Sequence, residues 1–478
     1  MKKINKFLFV GLFALMLFGC SKKTTKDNKT SSNTTTKTNT TTENKNLCTI
    51  KFDLNNGEGH IDDVVVEKGG KIEKPTEPTR KGYTFDGWYC EGEKWSFVGY
   101  FVTEDMTLVA NWVLDKYSIT LNNEVEGLTI SGVTSGDKYD HNSEITLTAS
   151  NIPSGKIIKW SRSDGVEFIG STYKFNLPNE NITITTTTVI CYTREGNKIY
   201  FGTYPQTYVT DDTLVSELNT LAGNLPSSDN LYNWNDYNYY LAENVASYMF
   251  YQDIDYDNNG TYDYRGVYFT AYRPKSHLAN AAASYQSTNG YSTNTVYWFN
   301  YDPIEWNIIT ESDGKATLLA NLILDSQHFQ VPSHSDAYRN NYEKSEIRQW
   351  LNNDFYNTAF KSYEKSIIQL TAVDNSLEST NQSENDYVCN DTEDYVFLLS
   401  HKEAVTYMTS NSARQAKGSD YAKAQGVYCN NGYSFWWLRS PFNEYNYTAN
   451  FVDEDGNVRG GGVYYSHYGV RPAICIEL

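Results

Sequence analysis

A chain of 478 residues is too long for one hydrophobic core and, at about 150 residues per domain, predicts about three units. Apolar residues make up 39% and aromatics 15%, with 40 Tyr and 10 Trp, and a chain so rich in rings is excluded from wholesale disorder. With 40 basic against 58 acidic residues the formal charge is -18, which excludes an electrostatic grip on nucleic-acid phosphates.

The N-terminus, MKKINKFLFVGLFALMLFGC, sets Lys2, Lys3 and Lys6 before an apolar run that ends at Gly19, far short of the about 20 residues of a membrane span. Residues 1–19 read as an export signal. The closing Leu17-Phe18-Gly19-Cys20 resembles the lipobox of bacterial lipoproteins. The resemblance implies that Cys20 is lipidated and anchors the chain to the outer face of the bacterial cell membrane, two acyl chains being enough for stable anchoring. Residues 20–46, rich in Thr, Lys and Asn, hold no large apolar side chain after Cys20 and read as a disordered tether.

From Cys48 the pattern turns to short strands: CTIKFDL, the turn NNGEG, DVVVEKGG, a Pro-broken stretch and MTLVANWV. Residues 48–113 predict a small β-rich module. The ordered pieces IKFDLNNG, PTEPTRKGYTFDGWY and DMTLVANWV resemble the internalin B-type repeat of bacterial surface proteins, which implies a β-grasp-like fold. Tyr83, Phe85, Trp88, Trp95 and Trp112 are expected to form its core, with stacking on glycans as the other use of Trp88 or Trp95. Residues 114–190 repeat the plan loosely: YSITLNN answers IKFDLNN, Ile158 and Trp160 answer Phe85 and Trp88, and NENITITTTTV answers EDMTLVANWV.

Residues 191–478 predict an α+β domain. Ile347, Trp350, Leu351 and Phe355 make one apolar helix face, Ser400 and Glu403 form a capping box that starts a helix at His401, and hairpins turn at Asp313-Gly314 and Asp455-Gly456. From about residue 196, the ordered words KIYFGTYPQT, PIEWNII, RQWLNNDFYNTAF, DYVFLLSHKEA, WWLRSP and GVRPA resemble a domain of unknown function in bacterial exported proteins. The layout of Trp436, Trp437, Arg439 and Arg471 in the last two is similar to C-type-lectin-like and formylglycine-generating-enzyme-like folds. That analogy would set Cys191 and Cys475 on neighbouring strands. The fold class expected is therefore multidomain: two small β-rich, β-grasp-like repeats and a C-terminal α+β, C-type-lectin-like domain.

Candidate chemistry is sparse. Asp255, Asp257, Asn259 and Asp263, with Gly260 at the bend, have the oxygen-ligand spacing of a calcium loop. The twelfth position is Gly266 instead of Glu and the flanks read as strands, so a plain hairpin turn is the competing reading. No cofactor other than calcium is expected. Six cysteines after Cys20 permit bridges, with Cys48, Cys90, Cys191 and Cys475 as the candidates; free buried thiols are the alternative. Arg439 and Arg471 read either as ligand-facing cations or, preferably, as halves of buried carboxylate pairs. The triplet Trp234-Asn235-Asp236 lies far from the C-terminal strands where the lectin motif belongs and reads as coincidence. Residues 231–300 hold 14 of the 40 Tyr, within an insertion at 208–300 suited either to recognition or to packing against itself. No catalytic motif is legible. The expected function is an anchored, non-catalytic display protein binding a glycan or protein ligand; an envelope-modifying enzyme or a purely structural envelope component are the alternatives.

Overall fold

The computed structural model describes residues 46–478 except 228, 238–248, 277–280 and 332–338. The export signal and Cys20 lie outside the described residues. Among the described residues no helix is long and apolar enough to cross a membrane. The chain divides into two compact units, one built from residues up to 79 together with 85–111, the other from 80–84 together with 112–478.

The first repeat is a five-stranded sheet of β1 (Leu47–Asp53), β2 (Val64–Glu67), β3 (Tyr83–Cys90), β4 (Glu93–Lys94) and β5 (Met106–Leu114), in the order β2-β1-β5-β3-β4. β1 and β5 run parallel with Ile50 opposite Met106. Alternation along β1 and β5 turns Ile50, Leu108 and Ala110 inward, where Trp88 closes the core with Phe52 at 5.0 Å and Phe85 at 5.6 Å. Trp88 is 1% exposed, which removes it from glycan stacking. Trp95 packs edge-on against Tyr100 and, with Tyr83, Phe85 and Trp112, is only partly buried. The core therefore rests on one ring and a set of aliphatics instead of five rings.

The segment that follows, expected as a divergent second repeat, has the same device. Its first strand, Lys116–Asn123, runs parallel to its last, Ile182–Ile190, with Ile119 opposite Ile182. Lys156–Arg162 pairs antiparallel to the last strand, and a three-stranded sheet joins Thr129–Ser131, Glu144–Ser150 and Thr172–Asn176. Ile158 and Trp160 are fully buried, and Trp160 donates its indole N–H to the Gly170 carbonyl at 2.7 Å. The segment is not sealed off at residue 190: Ile157, Cys191 and Tyr192 share one buried cluster with Ile199, Phe201 and Ile474.

The C-terminal region is built on a nine-stranded sheet whose spine runs Met249–Ile254, Tyr264–Phe269, Val296–Ser312, Lys315–Ala320, Ala473–Glu477. A second sheet of five strands contains Trp436–Pro441, Thr448–Val452 and Val458–Gly462. Asp313 and Gly314 turn the first expected hairpin with φ of 52° and 71°, the left-handed pair that a tight two-residue loop needs. The capping box forms as expected, with the helix at His401–Tyr407. The 208–300 insertion begins with helix α1 (Asp212–Ala222) and has its own core, in which Leu218, Trp234, Phe250 and Trp298 are buried together. Its hairpin extends the main sheet. The helix expected over 343–361 is broken: α2 (Glu346–Trp350) passes into a π turn over Leu351–Phe355. Ile347, Leu351 and Phe355 still reach the core, while Trp350 stays half-buried.

Candidate functional site

Strand pairing gathers a concentration of polar chemistry. In the hairpin of the insertion Asp253 lies directly opposite Arg265, and Tyr251 is two residues from Asp253 on the same face. Cross-strand neighbours of opposite charge meet there. Arg265 Nε and Nη2 each donate to the Asp253 carboxylate at 2.7 Å, and the guanidinium lies 4.5 Å from the centre of the Tyr251 ring. Tyr301 adds its hydroxyl to Asp253 at 3.0 Å, and Arg265 Nη1 reaches the Tyr421 hydroxyl at 3.4 Å. The charge of this buried arginine is thus answered within its own hairpin.

In front of this pair opens a cleft of about 420 Å³. Its aromatic wall is Tyr204, Tyr237, Tyr251, Trp350 and Tyr421; its acids are Asp236, Asp325, Glu346 and Asp354. The Tyr237 and Tyr421 hydroxyls are 2.7 Å apart. Asp325, 2% exposed, accepts the Tyr204 hydroxyl at 2.6 Å and the Ser326 N–H at 2.6 Å. Burial nonetheless pushes its carboxyl above the ordinary carboxylate range, desolvation outweighing those bonds and the nearby arginines. At the other side His328 Nε2 lies 2.6 Å from Glu346 Oε2, and Glu346 also accepts the Gln330 side-chain amide at 3.1 Å and the Val331 N–H at 3.2 Å. The π turn places Asp354 on the cleft wall. Such turns recur where a helix is bent to serve a site.

Four carboxylates against one already paired guanidinium make the cleft hostile to anions. Of the five rings Tyr204 and Tyr421 are fully buried; the partly exposed faces of Tyr237, Tyr251 and Trp350 beside fixed acceptors suit a ligand with apolar C–H faces and many hydroxyls. Sequence reasoning missed this assembly, since its residues are scattered from 204 to 421. Only the tyrosine density of 231–300, which supplies Tyr237 and Tyr251, pointed toward it.

The residues expected from the sequence fare differently. Asp255, Asp257 and Asp263 converge, their carboxylate oxygens within 4.8 Å of one another. Asp255 accepts the N–H groups of Asn259 at 3.0 Å and Gly260 at 2.8 Å, and Asp257 accepts Asn259 Nδ2 at 2.8 Å. Gly266 lies inside the strand Tyr264–Phe269, so a helix-loop-helix calcium hand is excluded while the oxygen cluster stands. All six described cysteines are free thiols. β5 separates Cys48 from Cys90, which at about 4.8 Å per strand holds them about 10 Å apart, beyond the reach of a disulfide of roughly 7 Å. Cys191 is buried near Glu364 with its thiol pushed up to about 12 by desolvation, whereas Cys475 lies opposite Thr317 in the sheet. The strand that follows Cys191, Thr193–Glu195, pairs with Lys198–Tyr208, and the strand of Cys475 pairs with Lys315–Ala320 and Val396–Phe397, so the two cysteines do not lie on neighbouring strands as expected and the pair is unbridged.

Trp436 and Trp437 are fully buried, donating to the Arg414 and Gln327 carbonyls. Arg439 has the carboxylate partner expected of it, Glu403. Arg471 does not: its Nε donates to the Ala320 carbonyl at 2.8 Å and its Nη1 approaches the Met408 sulfur at 3.8 Å. Trp234 of the WND triplet is core, its indole N–H on the Asn224 carbonyl, and Asp236 is the member of the triplet that lines the cleft.

Residues 49–111 match the Listeria-Bacteroides repeat domain, and residues 313–478 match a domain of unknown function, DUF6273. The second match begins well after residue 196, where the resemblance in the sequence began. Over 109 residues, 22% of the chain, it is 32% identical to a candidate membrane protein of Evansella cellulosilytica. Over 78 residues, 16% of the chain, it is 36% identical to a candidate Gly-rich membrane protein of the same organism. It is 37% identical over 91 residues, 18% of the chain, to internalin H of Listeria monocytogenes. The matches span 16%, 9% and 16% of those relatives' own lengths.

Proposed function

We propose that the chain is a surface lipoprotein, anchored through Cys20, whose C-terminal region offers the tyrosine-lined cleft to a polyhydroxylated ligand of glycan type. The single observation that carries the reading is the cleft wall itself: the partly exposed rings of Tyr237, Tyr251 and Trp350 and four carboxylates, with the one guanidinium held by Asp253. Relatives named for the membrane support a membrane or surface location. A glycan array probed with the full chain tests the binding. At least one glycan should bind, and Trp350→Ala and Glu346→Gln should each weaken it tenfold or more. Wild-type silence across the array, or variants that bind as tightly as wild type, overturns the cleft reading. Mass spectrometry of the mature protein tests the anchor, which requires a diacylated Cys20 at the N-terminus.

A second reading, an envelope- or polysaccharide-modifying enzyme, is favoured by one feature: the carboxyl of Asp325, raised by burial, beside the Tyr204 hydroxyl, a perturbed acid in a cleft. Turnover of peptidoglycan or polysaccharide that Asp325→Asn abolishes would establish it in place of the binding reading.

A further inference from the structure

Three buried arginines, Arg265, Arg439 and Arg414, find acceptors around the guanidinium. Arg265 and Arg439 are forked onto carboxylates. Arg414, without a carboxylate, places Nε on the Gly456 carbonyl, Nη1 on the Met408 carbonyl and Nη2 on Asn411 Oδ1. Arg471 departs from both patterns. It is 4% exposed, its one oxygen acceptor is the Ala320 carbonyl, and its guanidinium stacks 5.0 Å from the centre of the Trp436 ring. Among the described residues no carboxylate lies within ion-pair distance of it.

The guanidinium borders a cavity of about 590 Å³, separate from the tyrosine-lined cleft. None of the residues lining it is acidic, in a chain of net charge -18. Exposed Lys417 adds a second cation at its edge, the amides of Asn197 and Asn321 lie on its wall, and Ile308, Leu322 and Met408 give it apolar surface. A desolvated charge without a counter-ion is costly to keep. A planar fork with its Nη groups free of oxygen acceptors is matched by a carboxylate, which accepts two parallel N–H bonds.

We infer that this cavity is a second ligand site, in which Arg471 receives the carboxylate of a small organic acid while the apolar wall receives its carbon skeleton. Arg471 is the one buried cation of the lining and Lys417 is solvated at the rim, so the interior matches one negative charge; the second charge of a phosphate dianion would be desolvated beside Ile308, Leu322 and Met408. Burial holds the Arg471 pKa down to about 10, so the group is charged at neutral pH and the incoming anion removes the penalty. The inference is independent of the glycan reading, since the two cavities share no residue.

Calorimetric titration of the full chain in detergent with benzoate, N-acetylglycine, benzamide and inorganic phosphate tests it. Benzoate or N-acetylglycine should bind saturably and raise the Tm, as any ligand of the native state does, and benzamide should bind at least tenfold more weakly. Arg471→Met should lose the carboxylate response by tenfold or more while keeping or raising the Tm of the unliganded protein, because an unpaired charge gives way to an apolar side chain of similar length. Lys417→Ala, a surface change that leaves folding intact, should weaken binding several-fold and reduce its salt dependence. Failure of both carboxylates to bind, equal affinity for benzamide, tighter binding of phosphate, or unchanged binding in Arg471→Met each overturns the inference. Should Arg471→Met fail to fold, the benzoate-to-benzamide ratio together with Lys417→Ala decides.

Discussion

Glu403 Oε2 accepts Arg439 Nη1 at 2.5 Å and also the backbone N–H of Ser400 at 2.8 Å, while Oε1 accepts Arg439 Nη2 at 2.9 Å. One carboxylate thereby closes the N-terminal cap of the helix His401–Tyr407 and neutralises an arginine projecting from the strand Trp436–Pro441. Helix start and strand position are fixed by the same group.

Removing that group leaves a buried guanidinium unpaired and uncaps a helix. Glu403→Ala is expected to cost about 3–5 kcal/mol, and Glu403→Gln, which keeps an acceptor for Ser400, distinctly less. Denaturant unfolding of the two variants beside the wild type measures the difference.

His467 gives the protein a sensitivity to acid. Burial holds its imidazole down to about 4, against an ordinary value near 6.5. A histidine with a depressed native pKa favours the folded state while neutral, so its contribution is complete above about pH 6.5 and is lost as pH falls toward 4. The loss amounts to roughly 3 kcal/mol at the acid end. Thermal melts between pH 7 and 4 should fall more steeply for the wild type than for His467→Gln.

The buried cluster that crosses residue 190 sets where the chain can be cut. A piece starting at residue 191 leaves behind Ile157, which belongs to the same buried cluster as Cys191, Tyr192 and Ile199. That piece is expected to melt below one starting at residue 112, and Ile157→Ala in the full chain should cost about 2–5 kcal/mol. Equal melting temperatures for the two pieces would show that the sequence boundary at 190/191 is also a thermodynamic one.

In the acidic loop Asp255 satisfies two backbone N–H groups, those of Asn259 and Gly260. Asp255→Ala should destabilise the hairpin by about 1–3 kcal/mol, visible as faster hydrogen exchange of those two amides. The calcium proposal requires in addition that millimolar calcium raise the Tm of the wild type and leave Asp255→Ala unmoved; an equal response from both dismisses it.

What the sequence made legible was local. Ser400 with Glu403, Asp313-Gly314 and the alternation of the first repeat carry their signals within a few residues, and each forms where expected. The helix over 343–361 carried the correct apolar face but not its interruption, because a π turn preserves burial of Ile347, Leu351 and Phe355 while shifting what lies between them. The partners of Arg439 and Arg471 were beyond reading. Both sit in short apolar words, and only tertiary packing brings Glu403 to one and leaves the other with a carbonyl and a sulfur. The cleft was least legible of all, since Tyr204, Arg265, Asp325 and Tyr421 are far apart along the chain and none belongs to a motif.

The parallel pairing of first and last strands in the repeat and in the segment that follows it has a mechanical consequence. In each of the two segments the chain enters on one strand and leaves on its immediate parallel neighbour, so the two ends emerge at opposite ends of the strand pair. A pull on the ends therefore slides the neighbours along each other and strains all their shared hydrogen bonds together, whereas antiparallel end strands would open one bond at a time. Stretched singly in a force spectrometer, either segment should hold as a clamp and then yield abruptly.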